Sequence, residues 1–209
     1  EGPPQRMNEA VWTIKNVSFA YKHEPETLHI TETSFPSGSA TAIIGHNGAG
    51  KSTFMRILAG VLKPDTGGVT IDGQPVWENP AVKERCFFIP DELYFFKNAT
   101  LRTMEDYYRT VYPRFDSARF RKLREAFSLS DKQKIQTFSK GMKRQSAIIC
   151  ALSSGCEYLF CDETFDGLDP VIRQGVKSLF AADIAERQMT PIIASHNLRE
   201  LEDICDHVG

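Results

Sequence analysis

Residues 39–60 read SATAIIGHNGAGKSTFMRILAG: a short apolar run, a glycine-rich turn, then an apolar-periodic segment from Lys51 to about Ala59. Within it Gly45, His46, Asn47, Gly48, Ala49, Gly50, Lys51 and Ser52 satisfy GxxxxGK[ST], with Thr53 next in line. Strand, loop and helix in this order constrain the backbone strongly. The glycines let the chain wrap with its N–H groups pointing inward, and the helix N-terminus adds the positive end of its dipole, so the unit suits a phosphate chain. Lys51 then reaches the outer phosphates and the Ser52 hydroxyl binds Mg²⁺. A plain glycine-rich turn with an exposed lysine is the alternative, and the flanking strand and helix speak against it.

The rest of the chain alternates in the same way. VWTIKNVSFAY and HITETSF read as strands, followed after the loop–helix unit by GGVTIDG, ERCFFIP, EYLFCDE and TPIIASH. Helices are expected after Thr100, after Asp116 and from Asp169-Pro170, where polar caps precede apolar residues at helical spacing. Asn197 and Glu200 resemble a capping box opening a last helix. Strands alternating with helices imply an α/β fold with a largely parallel sheet. The expected division is a loose leader at 1–10, an α/β core at 11–98 and 156–209, and a helical insertion at 99–155.

At 209 residues the chain can bury a real core. Its formal charge of −2 argues against a dedicated nucleic-acid binder. The cysteines Cys86, Cys150, Cys156, Cys161 and Cys205 show no CxxC spacing, and three lie in apolar runs, as reduced core thiols do. No apolar run approaches the ~20 residues that span a bilayer.

YLFCDE delivers Asp162 and Glu163 to the carboxyl edge of the sheet, where open α/β sheets place ligands. Asp162 suits the shell of a hard cation. Glu163 is placed to orient or deprotonate an attacking water. Two exposed acids ending a strand are the plainer reading, and the phosphate loop makes it the weaker one.

FSKGM (residues 138–142), EYLFCDETFDGLDP, the ASH segment with His196, and Tyr21 in VSFAY, in this order after the phosphate loop, resemble the ATP-binding cassette (ABC) ATPases from about residue 11 to 207. The resemblance implies a P-loop ABC-type cassette: an N-terminal antiparallel β portion, a mainly parallel core sheet and an inserted helical subdomain. It implies ATP and Mg²⁺ as ligands. FSKGM stands at the signature position, so Ser139 and Gly141 would bind the γ-phosphate of ATP held by a second, head-to-tail cassette, identical or related. Ser139 reads equally as a helix cap, and one role serves the other. His196 matches the switch histidine, which would hold Glu163 and the water; a satisfied structural histidine is the alternative. Tyr21 matches the adenine-stacking aromatic, with packing as its alternative. Asp169 resembles the D-loop aspartate and also suits a cap.

Where the family usually carries a glutamine after the ERCFFIP strand, this chain has Asp91-Glu92. Asp91 is the candidate there for nucleotide and Mg²⁺ contact; simple loop acids are the alternative. The signature has Lys140 and Met142 at positions usually Gly and Gln, while Lys143 and Arg144 read first as solvated surface, with added cationic attraction for the phosphate as the alternative. Further C-terminal elements are implied after ICDHVG. In LYFFKNATLRTMEDYYRTVYPRF the aromatics read first as packing, and some of Tyr94, Phe95, Phe96, Tyr107 and Tyr108 as the lining of a groove for a membrane subunit. The expected function is the cytoplasmic, membrane-peripheral ATPase subunit of an ABC transporter, with a transmembrane permease on a separate chain and no nucleic acid. A soluble cassette acting on ribosome or DNA and a small-molecule P-loop kinase are the rivals.

Overall fold

The computed structural model describes residues 10–20, 28–36, 40–44, 50–197, 199, 201, 204 and 207–208. The leader up to residue 9, Tyr21, Gly45, His46, Asn47, Gly48, Ala49, Glu200 and Cys205 lie outside the described residues.

Strands β1 (Ala10–Phe19), β2 (Leu28–Pro36), β4 (Thr66–Ile71) and β5 (Gln74–Pro75) form an antiparallel sheet in the order β2-β1-β4-β5. Strands β3 (Thr41–Ile44), β6 (Cys86–Ile89), β7 (Tyr158–Asp162), β8 (Thr190–Ser195) and β9 (His207–Val208) form a parallel sheet in the order β6-β7-β8-β3-β9. Both sheets were expected. Helices α1 (Lys51–Leu58), α2 (Pro80–Lys83), α3 (Leu101–Val111), α4 (Ser117–Ala126), α5 (Lys140–Ser153) and α6 (Pro170–Arg187) complete the fold, with a short 3₁₀ turn at Ile135–Thr137.

The two-residue period of β7 sorts the core. Leu159 and Cys161 face one apolar cluster with Ile148, Ile149 and Leu152 of α5 and Phe180 of α6. Tyr158 and Phe160 face the other, with Phe54, Met55 and Leu58 of α1 and Ile14, Val69 and Ile71 of the antiparallel sheet. Every residue of β7 and β8 is buried, as a parallel strand covered on both faces requires. Helix α1 is therefore packed between the two sheets.

The helix starts follow their caps. Thr100 and Thr103 exchange side chain-to-backbone hydrogen bonds of 2.9 and 3.2 Å at the start of α3. Asp116 accepts from the Arg119 amide at 2.9 Å to open α4. The Arg119 guanidinium then forks onto Asp183 of α6 at 2.7 and 3.0 Å, and Arg187 joins the same carboxylate at 2.7 Å. Asp183 is buried, so this fork is charge-assisted and fixes α4 to α6. Cys86, Cys150, Cys156 and Cys161 are buried thiols in no disulfide, and burial pushes that of Cys86 up to about 12. Among the described residues no helix is long and apolar enough to cross a membrane.

After α5 the chain turns at Gly155, whose φ is +73°. A Cβ there would stand 2.8 Å from Arg114 Cβ and 2.9 Å from the Arg114 carbonyl oxygen. Gly155→Ala is accordingly expected to cost about 1–3 kcal/mol for the left-handed backbone alone. That lowers the melting temperature by several degrees; an unchanged calorimetric melt would contradict the turn.

Candidate active site at the carboxyl edge of the parallel sheet

The register of the parallel sheet stacks the strand ends. Ile89 pairs with Cys161, Asp162 with Ala194, and Ile44 with Ser195. Residues just past these ends therefore issue from one edge: Asp91 after β6, Asp162 and Glu163 at and after β7, and His196 after β8. Gly50 caps α1 with φ +89°, a conformation a side chain would strain. Lys51 and Thr53 are buried at its first turn.

Glu163 is the centre of the arrangement. Its Oε2 lies 3.0 Å from His196 Nδ1, and its Oε1 lies 3.5 Å from Lys51 Nζ. With the carboxylate ionised it can only accept, so Nδ1 is the donor in that contact. Glu163 itself is 8% exposed, whereas the His196 ring is 43% exposed. Its backbone is left-handed, φ +51°, which is unusual for a residue with a side chain. Both of its amide groups are pinned: its N–H donates to Ala194 O at 2.9 Å, and its carbonyl accepts from Arg144 Nη1 at 2.7 Å.

Asp162 is 1% exposed, and both of its carboxylate oxygens are buried without a hydrogen-bond partner. Burial pushes its carboxyl above the ordinary aspartate range; the neighbouring Asp91 and Glu163 carboxylates add to the rise, while the Ser52 hydroxyl and Arg56 offset part of it. A buried acid with two orphaned oxygens beside a hydroxyl fits a hard divalent cation. Among the described residues no cluster of three or more His, Cys, Asp or Glu ligands is present. A Mg²⁺ there would take its remaining ligands from phosphate and water, as that ion usually does.

A second group meets at the N-termini of α5 and α6. Ser139 caps α5, its Oγ accepting from Met142 N at 3.2 Å, and Asp169 caps α6, accepting from Val171 N at 2.9 Å. Both side chains are exposed. Gly141 lies against the turn before α6, with the Gly167 carbonyl 3.8 Å from its Cβ position.

One residue departs from the sequence reading. Arg144 is 2% exposed, not solvated surface, because α5 is buried from Arg144 through Ser153. Its Nη2 meets Asp91 Oδ1 at 3.3 Å, a pairing that sequence reasoning missed. The available signal was the apolar run SAIICAL, which begins two residues after Arg144 and leaves little water for a cation there. Of the aromatics, Phe95 and Tyr108 pack on the core, while Tyr94, Phe96 and Tyr107 are 82%, 47% and 42% exposed.

The ABC transporter family model matches residues 28–166. The ABC transporter ATP-binding protein YtrB of Bacillus subtilis is 27% identical over 184 residues, covering 88% of this chain and 63% of that protein. The linearmycin resistance ATP-binding protein LnrL of the same organism is 31% identical over 182 residues, covering 84% of this chain and 58% of that protein. The chain spans about six-tenths of the length of these curated relatives. A solved ATP-binding subunit of an ABC transporter superposes with a TM-score of 0.82 at 26% identity, over 95% of this chain and 84% of that one. With that family match over most of its length, and with this fold, the chain belongs to the ABC transporter family.

Proposed function

We propose that this chain binds and hydrolyses ATP with Mg²⁺ as the motor subunit of an ABC transporter, on the cytoplasmic face of a membrane and beside a separate transmembrane permease. The observation that carries this reading is Glu163, held between Lys51 and His196 next to the orphaned Asp162. The printed names of the relatives, ATP-binding proteins of transporters, support the same assignment.

In this reading the loop Gly45–Ser52 and Lys51 hold the β- and γ-phosphates, and Tyr21 stacks on the adenine. Ser52 and Asp162 hold Mg²⁺, which when bound supplies positive charge to the phosphate oxygens. Glu163 accepts a proton from water as the water oxygen bonds to the γ-phosphorus. The bond from that phosphorus to the β–γ bridging oxygen breaks, and ADP leaves with its electron pair. His196 keeps the carboxylate aimed. Most of the rate comes from positioning and from charge placed in advance.

The exposed N-termini of α5 and α6 belong to a second nucleotide. Ser139 and Gly141 would meet the γ-phosphate on a head-to-tail partner, a copy of this chain or a related cassette, and Asp169 would reach across the same interface. A ligand shared by two chains stabilises only their dimer, so ATP binding closes the pair and hydrolysis releases it. The exposed Tyr94, Phe96 and Tyr107 offer the permease an aromatic surface beside Asp91.

Glu163→Gln should retain nucleotide binding and lower turnover by about 10²-fold or more, as loss of a general base does. Phosphate release and nucleotide titration measure the two separately, and near-normal turnover would remove Glu163 from its role. Asp162→Asn should separate stability from activity. Removing an uncompensated buried charge is expected to stabilise the metal-free protein by about 1 kcal/mol, or roughly 2–4 °C in melting temperature. Mg²⁺-dependent turnover should fall in the same variant. A lower melting temperature with intact Mg²⁺ dependence would contradict both halves.

A further inference from the structure

Arg144 lies one turn inside α5, between the two groups of functional residues, with its side chain 3% exposed. A guanidinium stays charged at any ordinary pH, so one buried here depends on its acceptors. The structure gives two: the Glu163 carbonyl oxygen at 2.7 Å and Asp91 Oδ1 at 3.3 Å. Its Nε is buried without a partner, so no spare acceptor stands ready at that nitrogen.

We propose that Arg144 is a positioning residue for hydrolysis, tying the loop that carries Asp91 to the backbone of Glu163. The inference rests on Glu163 acting on the attacking water, as proposed above. Glu163 occupies a left-handed conformation, φ +51°, which persists only while its surroundings hold it. Three hydrogen bonds hold it: its N–H donates to Ala194 O at 2.9 Å, and its carbonyl oxygen accepts from Asp166 N–H at 3.2 Å and from Arg144 Nη1 at 2.7 Å. Arg144 supplies the shortest of the three and the one with a charged donor, so its loss leaves the carbonyl on the longer Asp166 bond alone, lets the backbone relax towards an ordinary conformation and swings the carboxylate away from Lys51 and His196.

The other end of the link is accessible. The Asp91 side chain is 51% exposed, on the same loop as the exposed Tyr94 and Phe96. A partner that draws Asp91 aside leaves Arg144 charged, buried and short of an acceptor. The guanidinium must then shift, and the Glu163 carbonyl shifts with it. Displacement of a surface loop is thereby converted into a change in the aim of a carboxylate, with the nucleotide-binding loop left as it was. The fork geometry matters: Nη1 and Nη2 serve different acceptors, whereas a lysine ammonium at the same depth is a single point with a shorter reach.

Arg144→Lys and Asp91→Asn are each expected to lower kcat about tenfold or more, the scale of a small misplacement of a catalytic group. The ATP Kd and the Mg²⁺ concentration for half-maximal turnover should stay within about twofold, and the double variant should be no slower than the slower single one, as two ends of one link behave. Glu163→Gln run alongside separates the two claims. If it is inactive while Arg144→Lys turns over normally, the link fails and the proposed function stands. If it is active, the reading of Glu163 fails first. ATP affinity falling in step with kcat, or a raised Mg²⁺ requirement in Asp91→Asn, would also overturn the link, since either assigns these residues to ligand binding. Should Arg144→Lys melt at low temperature, Asp91→Asn, a change at a half-exposed side chain, carries the same kcat-against-Kd test.

Discussion

Strand β7 is buried along its whole length and then ends on two carboxylates, and the site depends on that contrast. A parallel strand covered on both faces cannot slip by one residue without turning each face inside out. Its register against β6 and β8 is thus fixed by Leu159 and Cys161 on one side and Tyr158 and Phe160 on the other. Fixing the register fixes where Asp162 and Glu163 emerge, and neighbouring strands bring Asp91 and His196 to the same edge. The apolar core is in this sense the positioning device for the charges.

Those charges are held in opposing ways. Glu163 has cationic or polar company on both oxygens, whereas Asp162 is buried with its oxygens unsatisfied. An unsatisfied buried acid costs stability, and a divalent cation offsets that cost when it binds. With the proposed Mg²⁺, such a site would favour the liganded state over the empty one. Helices α5 and α6 present their capped N-termini outward from the other group of residues, and Arg144 connects that helix to the Glu163 backbone.

Much of this was legible in the sequence because the relevant signals are local. The strand–loop–helix around Lys51, the caps at Thr100, Asp116, Ser139 and Asp169, and the apolar run before Asp162 each announce themselves within about ten residues. Two-residue and helical periods then gave strands with intervening helices and a parallel sheet, while the antiparallel portion came only with the family resemblance. What was not legible depends on contacts between distant segments. Arg144 looks like surface beside Lys143 until α5 is seen to be enclosed. That the Asp91 carboxylate meets Arg144, 53 residues away, is likewise invisible in the residues around either one. The left-handed backbone of Glu163 leaves no mark in the residue types around it.

The proposed head-to-tail pair, closed by ATP, would unite the two groups of residues, and it can be weighed directly. Sedimentation velocity of the Glu163→Gln variant, with and without ATP and Mg²⁺, is the measurement that bears on it. The account predicts a monomer of 23.6 kDa without nucleotide and a species of twice that mass with it, reversed by removing Mg²⁺. A chain that binds ATP and Mg²⁺ at saturating concentration yet sediments as a monomer would contradict it, and would leave Ser139, Gly141 and Asp169 as helix caps alone.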